Sequence, residues 1–234
     1  TPNASYALAD AHLSLIDAIV GTNFNDTVAW VGGDTFSFDL GNDSADKLDI
    51  ATSTVGRNIN LAGSQFTNIE IVGGSNFADT LYGSSLAETL IGGNGADVLY
   101  GGADTLADSL VGGSGADTYY WSRGYGNDII SDGGAWSVST VDTLVLQDVA
   151  LADLNIGSSS SAIGQANVIS RTSGDNVQFD IYKQGIESKL TMDLANDNVF
   201  YRQIALTDST FNLFVGNDAG TGSVTGTSAA DLIY

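Results

Sequence analysis

Cysteine is absent from this 234-residue chain, proline, histidine and methionine occur once each, and seven basic side chains face 28 acidic ones. The missing cysteines exclude a disulfide scaffold, and a single proline excludes a collagen-like or proline-rich chain. No run of eighteen apolar residues is present. The apolar stretch nearest the start, Leu13 to Val20, is broken by Ser14 and Asp17 and has no basic flank, so neither a membrane-spanning helix nor a secretory signal is expected. Seven scattered cations cannot neutralise a phosphate backbone, and a formal charge of −21 argues equally against insertion into or binding to an anionic membrane. Cations are the expected partners. The lone His12 has no cysteine, and no serine or glutamate in a recognised motif, to work with. The run Ser158 to Ser161 has no G-x-S-x-G context, so catalysis is not expected. With 43% hydrophobic residues the chain is not compositionally disordered despite its charge.

What the sequence has in excess is glycine, at 29 positions, and much of it is periodic. From Gly74 the chain reads GSNFADTLY, GSSLAETLI, GGNGADVLY, GGADTLADSLV and GGSGADTYY. The period is nine, with a two-residue insertion in the fourth unit. Glycine comes first, an acid sixth (Asp79, Glu88, Asp97, Asp108, Asp117) and an apolar residue eighth (Leu81, Leu90, Leu99, Leu110, Tyr119). A degenerate sixth unit contributes Asp128, and single units recur as GTNFNDTVA from Gly21 and GTSAADLIY from Gly226. Because the last unit stops in mid-pattern, a longer parent protein is expected.

Glycines give each unit backbone conformations closed to other residues, so GGxGxD is a turn whose carbonyls converge and whose aspartate completes the cluster. A calcium ion takes six to eight oxygens from carboxylates and carbonyls, which such a turn offers. The three remaining residues form a short strand with one apolar side chain inward. Two units then close one coil of a parallel β solenoid, and units i and i+2 stack in two columns. The first column holds Asp79, Asp97 and Asp117; its gaps, lined by Gly92-Gly93-Asn94-Gly95 and Gly112-Gly113-Ser114-Gly115, are the favoured calcium sites. The second holds Glu88, Asp108 and Asp128. There Leu86 and Leu106 replace the fourth glycine and Asp104-Thr105 is inserted, so it should bind weakly or not at all, with Leu86 and Leu106 packed. Asp26, like Asp231, lacks a stacked partner; a calcium there would need Asp34, Asp43 or Asp46.

Around the array, FSFDL, KLDIA and IEIVG read as strands, and 141 to 215 alternates as a compact antiparallel β cap. Ser5 to Val20 has near-helical spacing, and Val149 to Leu154 suggests a helical turn. The expected fold is all-β, a parallel β-roll with an antiparallel cap. Its divisions are a lead-in at 1–73, the roll at 74–133, the cap at 134–215 and the start of a further block at 216–234. The aromatic cluster of Tyr119, Tyr120, Trp121, Tyr125 and Trp136 is read as a junction between roll and cap, with a sugar-stacking platform as the alternative.

The units from Gly92 to Leu99 and from Gly112 to Tyr119 match GGxGxDxUx in full and resemble the RTX, or hemolysin-type calcium-binding nonapeptide, family. RGYGNDIISDGG followed by VDTLVLQDVALADL is similar to segments that close RTX blocks. That resemblance implies calcium as cofactor, export through type I secretion machinery, and a place outside or on the surface of a Gram-negative bacterium. Folding would follow passage from a calcium-poor cell to a calcium-rich exterior. RTX chains that cut themselves do so at an Asp-Pro bond, and Pro2 follows Thr1. The leading reading is a non-enzymatic module of an adhesin-like array. The rival is an accessory or polysaccharide-binding module of a secreted enzyme such as an alginate epimerase, protease or lipase.

Overall fold

The computed structural model describes residues 5–8, 18–32, 37–122, 125–133 and 142–147, and the backbone of seven strands between 154 and 233. Among these residues there is no helix. The strands up to the end of the repeat array are β1 (Ser5–Leu8), β2 (Ala18–Thr22), β3 (Thr27–Trp30), β4 (Ser37–Gly41), β5 (Lys47–Asp49), β6 (Asn58–Asn60), β7 (Phe66–Thr67), β8 (Ile71–Gly73), β9 (Thr80–Tyr82), β10 (Thr89–Asn94), β11 (Val98–Tyr100), β12 (Ser109–Ser114), β13 (Thr118–Ser122) and β14 (Ile129–Gly133). They are followed by β15 (Thr143–Gln147), β16 (Leu154–Asn155), β17 (Ala166–Ile169), β18 (Asn176–Lys183), β19 (Ile186–Asp193), β20 (Val199–Ala205), β21 (Thr210–Gly216) and β22 (Asp231–Ile233).

Each nonapeptide makes one short strand, and alternate strands enter opposite sheets. In one sheet β3, β5, β8, β10, β12 and β14 lie side by side in that order; in the other the order is β6, β9, β11, β13, β15. Every pairing within these two series is parallel. The stacking of units i and i+2 is thus observed directly, with Val98 between Thr80 and Thr118, and Ser109 between Thr89 and Ile129. The result is a parallel β solenoid of about five turns.

The register follows from burial. A three-residue strand has one inward side chain, and the eighth position of each unit supplies it. Val28, Leu48, Val72, Leu90, Leu110 and Ile130 form one internal column, and Ile59, Leu81, Leu99, Tyr119 and Leu144 the other, all buried. Sliding one strand by a residue would turn its apolar side chain to solvent, so the ladder of leucines pins the stack. Toward the start the interior widens. A third sheet of β2, β4 and β7 joins there, and Trp30, Phe38 and Phe66 pack ring against ring with centroids 5.5–5.6 Å apart.

Several expectations are corrected. The solenoid does not begin at Gly74, because β3, β5 and β6 of the lead-in already stack in its two sheets. Thr143–Gln147, assigned to the cap, runs parallel to β13 with Leu144 over Tyr119, and forms a coil of the solenoid. No separate antiparallel cap is shown. Antiparallel pairs occur at β17–β18, β18–β19 and β20–β21, but they extend the solenoid sheets through the parallel pairs β14–β19 and β15–β20. The near-helical spacing of Ser5 to Val20 gives strands at both ends, since Ser5–Leu8 pairs with β3 and Ala18–Thr22 with β4. Sheet pairing overrides that local spacing, and residues 9–17, with His12, lie outside the described residues. So do 148–153, while Leu154 starts a strand. Asp34, Trp136 and Ser158–Ser161 also lie outside them.

Candidate metal centre

The sixth-position acids stand immediately before the strands, at the two edges where turns enter the sheets. Asp26, Asp46, Asp79, Glu88, Asp97, Asp108, Asp117, Asp128 and Asp142 are buried, and Glu70 before β8 is half-buried. Burying a carboxylate without partners is costly, and the fold supplies one partner by a repeated rule. Eight carboxylates, Glu70 among them, accept the backbone N–H of the residue at the same position one coil earlier, whereas Glu88 accepts from Ser84 and Asp26 from Thr22. Along one edge Arg57 donates to Asp79 Oδ1 at 2.6 Å, Asp79 to Asp97 at 2.7 Å, Asp97 to Asp117 at 2.8 Å and Asp117 to Asp142 at 2.8 Å. Along the other edge Asp26 donates to Asp46, Asp46 to Glu70, Glu88 to Asp108 and Asp108 to Asp128, at 2.7–3.0 Å.

Asp26 is therefore not isolated, since Asp46 stacks on it. Sequence reading missed the unit that holds Asp46. The stretch Gly41-Asn42-Asp43-Ser44-Ala45-Asp46-Lys47-Leu48 has glycine first, acid sixth and apolar eighth, so the signal was present. Glu70 and Asp142 carry the acid and the eighth apolar residue without the leading glycine. Arg57 stands at an acid's position and only the burial of Ile59 marks its unit. The side chain of Arg57 turns to the carbonyl oxygen of Val31 and to Ser53 Oγ, which ends the acid ladder at Asp79.

The first ladder oxygen is satisfied; the second distinguishes the units. Asp97 is 0% exposed and its Oδ2 has no hydrogen-bond partner. A Cβ added to Gly92 would lie 2.4 Å from this Oδ2 and 2.6 Å from the carbonyl oxygen of Gly112 in the next coil. The bare Gly92 backbone thus leaves a space shared by a carboxylate oxygen and a carbonyl oxygen. Gly93 and Gly113 adopt φ values of 107° and 102°, a left-handed region open to glycine and strained for other residues. The two loops touch through Gly95 N–H, which donates to the carbonyl of Ser114 at 2.8 Å, and Gly93 and Asn94 register with Gly113 and Ser114. The Asn94 side chain is engaged with Asn76 Oδ1 at 2.6 Å. Around Asp117 the setting differs, because the Tyr119 hydroxyl reaches the loop and accepts the Gly112 N–H at 3.0 Å.

Among the described residues no three or more His, Cys, Asp or Glu side chains are arranged to hold a metal ion. A site here must combine one carboxylate per loop with carbonyls, a donor set that suits a hard, oxygen-seeking ion. The orphaned Asp97 Oδ2 beside the Gly112 carbonyl meets that requirement. On the other edge, Glu88 Oε1 accepts both the N–H and the hydroxyl of Ser84, while Glu88 Oε2 and Asp104 Oδ2 are buried without partners. Leu86 and Leu106 are not packed: they are 39% and 46% exposed at the turn tips, as is Phe77 at 45%. Of the aromatic cluster, Tyr119 and Trp121 are core residues, which removes Trp121 from any sugar-stacking platform. Tyr120 instead continues an outer ladder with Tyr100 and Tyr82, rings 4.3–4.4 Å apart and nearly parallel.

Burial also changes the protonation of the acids. Desolvation lifts Asp97 to about 6, against the pull of the Asp79 N–H and helped by the Asp79 charge. Glu88 and Asp128 rise to about 7 for the same leading reason, with the Asp108 charge adding to each. Asp46, Glu70 and Asp108 are also raised by burial. A carboxyl whose folded pKa lies above its unfolded value, 3.8 or 4.5 here, stabilises the fold below that unfolded value, and the contribution disappears as pH rises through the folded value. In chelator, the thermal midpoint is therefore expected to fall as pH goes from about 5 to about 7.5. A midpoint that climbs over this range in calorimetry would contradict the burial of these acids.

A family model described as RTX calcium-binding nonapeptide repeat, in four copies, matches residues 73–105 and 82–119. No curated protein matches the chain.

Proposed function

Residues 73–119 are RTX calcium-binding nonapeptide repeats, and from that premise we propose that this chain is a calcium-binding, calcium-folded structural module of an exported bacterial protein. In this reading it leaves a Gram-negative cell by type I secretion, folds outside, and stiffens an adhesin-like surface or extracellular protein without catalysing a reaction. One observation carries the metal assignment: the fully buried, partnerless Asp97 Oδ2 faces the Gly112 carbonyl across the bare backbone of Gly92. Asp97 and Asp117, with carbonyls of the 92–95 and 112–115 loops, would hold the ion. The bound ion supplies the positive charge that stacked carboxylates require in a poorly solvated setting. The chain's own work is to align the loops through the leucine columns and to fix each carboxylate by its ladder hydrogen bond. Only the outer oxygen is then left to turn toward a ligand.

The reading is tested by isothermal titration calorimetry with calcium and magnesium. Asp97→Asn is expected to bind one calcium ion fewer than the wild type while keeping the ladder acceptor for Asp79. Gly92→Ala, whose methyl group fills the space, should lose the same ion. Wild-type calcium stoichiometry in both variants would overturn the assignment.

A further inference from the structure

Asp79 and Asp97 are sixth-position aspartates of one column, but the unit of Asp79 carries Ser75 and Phe77 where that of Asp97 has Gly93 and Gly95. Their surroundings differ in one respect. Both accept a ladder N–H on Oδ1. Asp79 Oδ2 also accepts the backbone N–H of Ser75 at 2.7 Å, within its own unit, whereas Asp97 Oδ2 has no partner. The residue that matches Ser75 in the Asp97 unit is Gly93, at φ 107°. Ser75 is not among the residues of positive φ; its N–H points to the carboxylate, and its hydroxyl accepts the N–H of Phe77 at 3.1 Å, closing the turn.

The same closure recurs elsewhere in the chain. In the unit from Gly21, Thr22 N–H donates to Asp26 Oδ2, and Phe24 N–H donates to the Thr22 hydroxyl at 3.2 Å. In the unit from Gly83, Ser84 N–H donates to Glu88 Oε1 at 3.1 Å, and Leu86 N–H to the Ser84 hydroxyl at 3.2 Å. In all three the second position is serine or threonine and the fourth is a large apolar residue, Phe24, Phe77 or Leu86, each exposed at the turn tip. A turn pinned in this way leaves the fourth side chain outward, and its acid accepts a hydrogen bond from within its own unit.

We propose that in the column of Asp79 and Asp97 the second residue of the unit decides whether its loop takes an ion: Gly93, in the left-handed region, leaves Asp97 Oδ2 open, and Ser75 closes Asp79 Oδ2 with its own N–H. By this rule the loop of Asp79 is an ion-free, self-closed turn and calcium ligation in its column starts at Asp97, while on the other edge Thr22 closes Asp26 Oδ2 in the same way. The proposal rests on the calcium-binding reading above and gives the second position a physical role, the closing or opening of one carboxylate oxygen. It also accounts for exposed phenylalanines in a calcium-repeat chain, because an ion-free turn has no need of glycine at its tip.

The rule makes a gain of function testable in the full chain. The double variant Ser75→Gly/Phe77→Gly turns the unit into Gly-Gly-Asn-Gly-Ala-Asp, and native mass spectrometry in calcium should count one more ion than in the wild type. As a check that does not depend on the double variant folding, Asp79→Asn should keep the wild-type calcium count while Asp97→Asn loses one. A folded double variant with an unchanged count, or an Asp79→Asn variant that loses an ion, would overturn the proposal. A wild type that binds no calcium would overturn the calcium reading and this rule with it, a result distinct from either of those.

Discussion

In excess chelator at neutral pH the chain is expected to lose most of its β signal in far-UV circular dichroism, and to recover it with calcium but not with magnesium. Fully ionised, the chain carries −21, and its buried acids are stacked one coil above another, most of them joined to the adjacent coil by a backbone N–H donated to a carboxylate. The Lys47–Asp49 ion pair lies outside this stack of acids. Each ion held at about a hundred times its dissociation constant adds ~2.7 kcal/mol, a large share of the ~5–15 kcal/mol by which ordinary domains are stable. Magnesium demands a tight octahedron and keeps its waters, so a loop built from carbonyls and a single carboxylate should discriminate against it. A chain that keeps its full β signal in chelator near pH 7.5 would show that the leucine columns suffice without the ion.

Truncating the middle of a leucine column should be the most damaging single change in the calcium-loaded protein. Leu99 is fully buried and lies in register between Leu81 and Tyr119. Leu99→Ala leaves a cavity that coils held by backbone ladders cannot close, and a loss of ~2–5 kcal/mol is expected from denaturant titration in calcium. A solenoid coil contacts only its neighbours, so the defect separates the coils on either side of it. Leu86→Ala, at an exposed turn tip, is the control and should stay within ~0.5 kcal/mol of the wild type. Similar losses at the two positions would contradict the assignment of inside and outside.

The contrast between Leu99 and Leu86 also shows what sequence could and could not reveal. Eighth-position leucines were legible because a period of nine with one fixed apolar site admits few folds, and the stacking of alternate units followed from it. Fourth-position leucines were misread as packed, since hydrophobicity alone does not say which way a turn tip points; the polar side chain two residues earlier, Ser84 or Asp104, accepts the leucine N–H and fixes the tip. The extent of the solenoid was underestimated for a related reason. Coils ending at Arg57, Glu70 and Asp142 lack the leading glycine or the acid, and are held in place by strand register and a buried eighth residue, which a motif does not record. The candidate site itself was legible in the glycines at 92, 93, 112 and 113. Its asymmetry, with Asp97 open and Asp79 closed by Ser75, depends on the direction of one N–H and could emerge only from backbone geometry.

The central claim is that the gap between the 92–97 and 112–117 loops is built for calcium. The most direct measurement is an anomalous difference map from a crystal of the calcium-loaded chain. The account predicts a peak in that gap, about 2.3–2.6 Å from Asp97 Oδ2 and from the Gly112 carbonyl oxygen, and no peak at the Ser75-closed loop of Asp79. An empty gap, with Asp97 Oδ2 satisfied by a protein hydrogen bond instead, would contradict it.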